Sequence, residues 1–308
     1  MGDRPASGNP AVRTGGMSRI MWTVVLSLVP AGIAGVFIFG ARGLGVIVAA
    51  VLAALGTEFV LEKLSGQKST IADGSAVITG LLLAYSLPPA APLWLPVAGS
   101  AFAIAAGKQL FGGLGRNIFN PALVGRAFLT AVWPGHMAYF WRPFAYDTVA
   151  SATPLSLLKE GRVVEHISYL DFFLGRRGGC IGEVCIVALL AGAVFLLIKG
   201  YISWRIPMVY IGTMGGMVYI FGPRGFFSGD WLMHILSGGL VLGAFFMATD
   251  YFTSPSTVKG QVVFAAGCGV LTAMIRLWGR YPEGVCYAIL IMNAATPLIR
   301  RYGKEGRR

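Results

Sequence analysis

The chain alternates long apolar runs with short polar joints. Ten apolar segments can be drawn, at approximately 20–39, 43–62, 73–88, 94–112, 117–134, 180–200, 204–222, 231–249, 259–278 and 283–300. Each is continuously apolar and lacks the two-residue alternation of a membrane strand. In lipid such a run must satisfy its own backbone hydrogen bonds, which leaves the helix as its form. About 20 apolar residues cross the hydrocarbon core at 1.5 Å per residue. The pattern therefore predicts an all-α polytopic membrane protein of about ten transmembrane helices. One long polar interruption, 135–179, divides the runs into two sets of five.

The predicted organisation follows from that division. A flexible cytoplasmic N-terminus (1–18) leads into a first five-helix repeat (19–134). An extracytoplasmic loop (135–179), a second five-helix repeat (180–302) and a basic cytoplasmic tail (303–308) complete the chain. An odd number of spans turns the second repeat upside down relative to the first. A faint internal echo accompanies it, "TGLLLAYSLPP" (79–89) against "LGAFFMATDYFTSP" (242–255). Each is followed by an apolar span and a Gly-rich turn, "LFGGLGRN" and "LWGRYPEG". Segment 73–88, flanked by Asp, Gly and Pro, has the form of a broken helix lining a midplane site.

Composition sharpens the picture. The chain is 56% hydrophobic and 12% charged, against about 25% charge in an average soluble domain, so the bilayer is its solvent. Net charge is +12, which in a soluble protein would raise nucleic-acid binding. Here the cations lie between apolar runs and in the terminal "IRRYGKEGRR", the pattern of anchors against anionic lipid. With the N-terminus inside, Lys and Arg near the span ends divide fifteen to nine in favour of the cytoplasm, which places both termini inside and the 135–179 loop outside. The first run is too long for a signal-peptide core and is expected to be retained. Cys180, Cys185, Cys268 and Cys286 lie in or beside apolar runs without metal-knuckle spacing, as buried inert thiols do. His136, His166 and His234 show no ligand spacing, and no serine–histidine–acid set or phosphate-binding glycine loop is present. Independent catalysis by this chain is not expected.

Three places could carry chemistry. "DTVASATPLSLLKEG" (147–161) sets Thr153 before Pro154 in the polar interruption, either as an ordinary turn or as an attachment point. Asp73 opens "DGSAVITG", where it caps a helix or helps to face backbone amides toward a cofactor or ion. "GRNIFNPALVGR" (115–126) holds Asn117, Asn120, Pro121 and Arg126. A cation inside a span costs about 2.5–3.5 kcal/mol on insertion scales. Arg126 therefore faces a partner, a cofactor or a watery cavity, or it snorkels to the surface. Asp250 and Glu283 end and open spans as caps or ion carriers.

Four stretches, "STIADGSAVITGLLLAYSLPPAAPLW", "KQLFGGLGRNIFNPALVGRAFL", "FMATDYFTSPST" and "RLWGRYPEGVCYAILIMNAATPLI", resemble one family. It comprises the D subunits of the Rnf ion-translocating ferredoxin:NAD oxidoreductases and the B subunits of the sodium-pumping NADH:quinone reductases. The resemblance runs from about residue 17 to 302. It implies FMN joined by a phosphoester bond to a threonine in a motif close to D-x-x-S-G-A-T-P-L. Thr153 falls on the acceptor position, with Asp147, Ser151 and Ala152 completing the attachment motif. Ala150 stands where Ser or Thr is usual, and Ser151 where Gly is usual. The loop offers no base to activate the hydroxyl, so attachment implies a separate flavin transferase. Tyr139, Phe140, Trp141 and Tyr146 stand nearby, to stack on the flavin or to form an interfacial aromatic belt.

The resemblance further implies a covalent-FMN electron relay between ferredoxin and NAD, coupled to Na+ or H+ movement. A second, noncovalent flavin such as riboflavin among the helices is also implied. Asp73, Asn117, Asn120 and Arg126 are carried as candidate cofactor contacts. Partners would be the other members of the Rnf complex (A, B, C, E and G), in a bacterial or archaeal cytoplasmic membrane. Ferredoxin and NAD would bind on those partners. The short segment before the first span favours the Rnf branch over the quinone reductases. A reading from another class, an inverted-repeat solute channel or transporter, accounts for the spans but not for the Thr153 loop. Flavin content separates the two.

Overall fold

The computed structural model describes residues 16–66, 69–141, 143–144, 150–160, 168–222 and 225–304. The described chain is mostly helical. Its first element, α1 (Gly16–Leu64), is two helices meeting at Gly40, where φ is 67°. A Cβ built at Gly43 would lie 3.4 Å from the Gly35 carbonyl oxygen. Eight residues of straight helix would separate those positions by about 12 Å. The chain therefore doubles back at Gly40, a left-handed backbone that glycine adopts without cost. The apolar runs 20–39 and 43–62 are the two arms of this hairpin, which turns at Gly40.

The remaining long helices of the first half are α2 (Ser75–Tyr85), α3 (Trp94–Gly107) and α4 (Pro121–Val132). Among the described residues, α1 and Val258–Trp278 are long and apolar enough to cross a membrane. In most of the other runs the helix is shorter than the hydropathy pattern predicts; the helix Val285–Lys304, at 20 residues, is the exception among the described residues. At 11 residues, α2 rises only about 16 Å. It starts after Gly74 in a left-handed turn and stops where Pro88 and Pro89 prevent continuation.

Among the described residues of the polar interruption are the short helices α5 (Pro134–Met137), α6 (Pro154–Lys159) and α7 (Tyr169–Leu174). A two-residue antiparallel ladder, β1 (Phe140–Trp141) with β2 (Ala150–Ser151), pairs Phe140 with Ser151 and Trp141 with Ala150. The second half holds α8 (Ile186–Ile198), α9 (Arg205–Ile220), α10 (Trp231–Leu236), α11 (Leu240–Leu242), α12 (Val258–Trp278) and α13 (Val285–Lys304). The run 231–249 is not one helix. It breaks between α10 and α11, where Gly238 takes φ 64°, and α11 runs on into a π-helical turn, Gly243–Met247.

Side chains from both halves meet in one main core. Within halves, α1 lies on α2 and α3, and α12 lies between α9 and α13. Between halves, the first arm of α1 meets α8, and α4 meets α13. The outside of this bundle is apolar: Leu26, Ile33, Phe37, Leu52, Ile198, Met208 and Leu298 are all largely exposed. Such a surface suits hydrocarbon and not water.

Candidate functional site

Thr153 is the cap of α6. Its extended backbone turns the chain from β2 into the helix, and Pro154 fills the first helical position, where no amide is needed. Its Oγ1 accepts a hydrogen bond from the Ser156 amide at 3.2 Å and donates to Ser156 Oγ at 3.1 Å. Ser156 Oγ in turn donates to the Thr153 carbonyl at 2.8 Å. Thr153 and Ser156 open on a cavity of about 230 Å³. Its walls come from α4 (Arg126, Thr130), from Met137 and Phe140 of the interruption, and from the stretch Tyr281–Tyr287 that leads into α13. Its lining sets aromatic and apolar faces beside placed polar groups, the mix that ligand pockets carry.

Arg126 forms an ion pair with Glu283 on the cavity wall, and the two side chains are 14% and 22% exposed. Arg126 therefore takes the paired reading and does not snorkel. Glu283 is its partner, not merely a cap. Tyr281 and Tyr287 stand together on the same wall, ring centroids 5.2 Å apart. Phe140 lines the cavity, whereas Tyr139 is exposed. Tyr146 and Asp147 lie outside the described residues.

A buried polar layer supports this wall. The break between α10 and α11 frees the last carbonyls of α10, which need donors. Arg177 donates to Leu236 O at 2.9 Å and to Glu183 O at 3.2 Å. Arg276 donates to Ser237 O at 3.1 Å and also to His234 O. Their positions near span ends predict both arginines at the outer surface. They are instead buried, at 2% and 4% exposure, because the broken helix offers them acceptors. The Cys180 thiol and the Glu183 and Glu283 carboxylates lie within 4.8 Å of one another. Three arginines around two glutamates leave a net positive charge there, which disfavours a cation. All four cysteines are free, and Cys185 is the one that is not fully buried.

Lys159 closes α6. Its ammonium donates to Ile275 O at 3.0 Å, Arg276 O at 3.1 Å and Tyr281 O at 2.8 Å. Burial, and secondarily the Arg276 charge, lower its pKa from the ordinary lysine value.

A second, smaller cavity of about 80 Å³ lies at the other end of α4. Asn117, Asn120, Ser75, Lys108 and Asp250 are among its lining residues. Asn120 caps α4, accepting from Ala122 N at 3.1 Å and Leu123 N at 3.3 Å. Its own amide donates to Asn293 Oδ1 at 3.2 Å, tying the halves together. Asn117 binds its own loop, through Gly115 N and Phe119 O. Asp73 is held back from the cavity. It accepts from Ser75 N at 2.7 Å and from Ser75 Oγ, so it organises the turn before α2 while Gly74 takes the cap position. Lys108, 1% exposed, donates to Ser75 Oγ and to Glu58 Oε1, both at 2.6 Å. Thr70 bridges Glu58 and Glu62. Sequence reasoning misses this group, although Glu58 and Glu62, four residues apart in an apolar run, share one helix face.

The named candidates thus separate. Thr153 and Arg126 meet at one cavity, Asn117 and Asn120 at the other, and Asp73 reaches the second only through Ser75. Ser151 ends the ladder before Thr153, and Ala152 is exposed between them.

Comparison with known proteins gives the family. The model of the NQR2, RnfD, RnfE family matches residues 6–307. The chain is similar to the D subunit of the Na(+)-translocating ferredoxin:NAD(+) oxidoreductase complex of Acetobacterium woodii, 49% identical over 97% of this chain and 93% of the relative. It is 48% identical to the D subunit of the proton-translocating ferredoxin:NAD(+) oxidoreductase complex of Clostridium ljungdahlii, over 96% and 93%. The D subunit of the ion-translocating oxidoreductase complex of Stutzerimonas stutzeri is 36% identical over 94% and 93%. With a match this long, the chain belongs to the NQR2, RnfD, RnfE family, a family of membrane subunits of ion-translocating oxidoreductase complexes.

Proposed function

We propose that this chain is the D subunit of an Rnf-type complex and a relay for electrons, with FMN esterified to Thr153. The observation that carries the reading is the Thr153 hydroxyl opening on an aromatic-walled cavity beside the Arg126–Glu283 pair. The residues fit the group. Tyr281, Tyr287, Phe140 and Met137 offer apolar faces for a ring system. Arg126 is already neutralised by Glu283, so the wall is polar without a lone buried charge. A bound flavin supplies redox chemistry that accepts and releases electrons one at a time. The chain's own part is to seat that group, exclude water with the Tyr281–Tyr287 wall, and fix its surroundings through the buried arginine layer. Ferredoxin and NAD would bind on other subunits, and a flavin transferase would mature the threonine.

The finer architecture belongs to the same reading: ten helices in two inverted five-helix repeats. What supports it is that equal positions meet across the halves, first against first (α1 and α8) and last against last (α4 and α13), a pattern compatible with a two-fold relation between repeats. A noncovalent flavin among the helices belongs to the same reading, with Asn117 and Asn120, at the edge of the second cavity, as its candidate contacts. Both termini would be cytoplasmic and the Thr153 loop extracytoplasmic.

The test is ferredoxin:NAD electron transfer in membranes carrying Thr153→Ala in an otherwise intact complex. Loss of transfer with the complex still assembled supports the relay. Undiminished transfer sinks it, and a colourless wild-type chain that moves a small solute would put the transporter in its place.

A further inference from the structure

The helix that carries the attachment threonine is short. With six residues, α6 (Pro154–Lys159) is far below the length at which a helix holds itself together in water. Its place must be set by tertiary ties. At its first turn Leu155 is buried, 4% exposed, and packs over Gly238 at the break between α10 and α11. At its last turn the tie is Lys159.

The Lys159 ammonium has three donors, and the structure gives it three carbonyl acceptors, Ile275 O, Arg276 O and Tyr281 O, at 2.8 to 3.1 Å. Ile275 and Arg276 lie in the last turn of α12, at its negative end; the Ile275 carbonyl also accepts from the Gly279 amide at 3.0 Å and shares itself between that amide and Lys159. Tyr281 opens the Tyr281–Glu283 stretch that walls the cavity. Lys159 thus fastens the threonine-bearing helix to the wall it faces. Thr153 and Lys159 stand about 9 Å apart along the helix, so pinning one end fixes the other. An ammonium suits a tripod of carbonyls, whereas a planar guanidinium does not.

We propose that Lys159 is a positioning residue, the staple that seats the tethered flavin against the Arg126–Glu283 and Tyr281–Tyr287 wall. The proposal rests on Thr153 as the attachment point. Without the staple the ester stays intact, but the flavin leaves the cavity for water.

The experiment compares wild type, Lys159→Met and Lys159→Arg in the purified complex. In-gel fluorescence reads covalent flavin, anisotropy reads its mobility, and a redox titration reads its midpoint potential. Lys159→Met is expected to keep the covalent flavin, lower its anisotropy and move its potential toward that of FMN free in water. Electron transfer should fall on the order of tenfold, as for a displaced reacting group. Lys159→Arg should recover only part of each change. Wild-type anisotropy and potential in Lys159→Met would overturn the proposal. If Lys159→Met does not accumulate, Lys159→Gln takes its place with the same expectations. Amide exchange across 154–159 in the flavin-free Thr153→Ala chain separates the two readings. Loss of protection there on adding Lys159→Met supports the staple even if no flavin is found on Thr153, and unchanged protection counts against it.

Discussion

Thr153 combines two roles that make different demands on one residue. As a helix cap it needs only an acceptor oxygen, and as an attachment point it needs a reachable hydroxyl facing space. Thr153→Ala removes both. The cap is worth about 1 kcal/mol, too little to unfold a bundle whose core lies elsewhere. Immunoblotting of membranes should therefore find the variant at near wild-type level, without in-gel flavin fluorescence. The Arg126–Glu283 pair behaves differently. Removing one partner leaves a half-buried charge, at an expected cost of about 1–3 kcal/mol, below the fully buried case because both side chains touch solvent. Arg126→Met should lower the melting temperature of the purified protein, and Arg126→Met combined with Glu283→Leu should recover much of the loss. Equal melting of all three proteins would show that the pair contributes nothing. The need of Arg126 for a partner is legible in the sequence, because an ionisable residue within an apolar run has few other options. Its partner is not, since 157 positions separate the two. Arg177, Arg276 and Lys159 look like surface cations in the sequence for a related reason. Nothing in composition says which carbonyls a broken helix will leave without donors.

Among the elements, each apolar run lies largely on helix, because continuous hydrophobicity without alternation leaves no other form in lipid. Hydropathy misplaces the ends where Gly, Ser, Pro and Asp act as stops and caps. Gly40 reverses the chain within one residue, and a hydropathy pattern sees only a brief dip there. The 231–249 run shows the opposite case, in which a stretch apolar enough to be drawn as one span contains a break at Ser237–Gly239. Close packing of α2 on α1 also depends on one missing side chain. A Cβ at Gly80 would lie 2.7 Å from Val51 Cα, so the backbone itself would have to move. Gly80→Ala is expected to cost about 1–3 kcal/mol through overpacking. Thermal unfolding followed by size-exclusion chromatography would read this as a lower midpoint, and an unchanged midpoint would mean that the two helices part easily.

The molecule taken whole is a bundle of two halves, with one cavity toward each end of α4. The burial of Arg177, Arg276 and Lys108 removes two cations from the outer set and one from the inner, so the charge asymmetry behind the expected orientation survives. Alkaline phosphatase fused after Ser168 should be active, and the same reporter at the C-terminus inactive; the reverse result would invert the topology. Family membership follows from long matching stretches, and the Thr153 motif is readable for the same reason. The cavity that gives Thr153 its surroundings is not readable, because its walls come from three distant parts of the chain. Whether Thr153 holds the flavin is decided by mass spectrometry of the peptides spanning 143–176, from chain produced with an active flavin transferase. The expected result is the added mass of FMN, less water, localised to Thr153. Unmodified Thr153 under those conditions, with the transferase shown to modify another substrate, would contradict it.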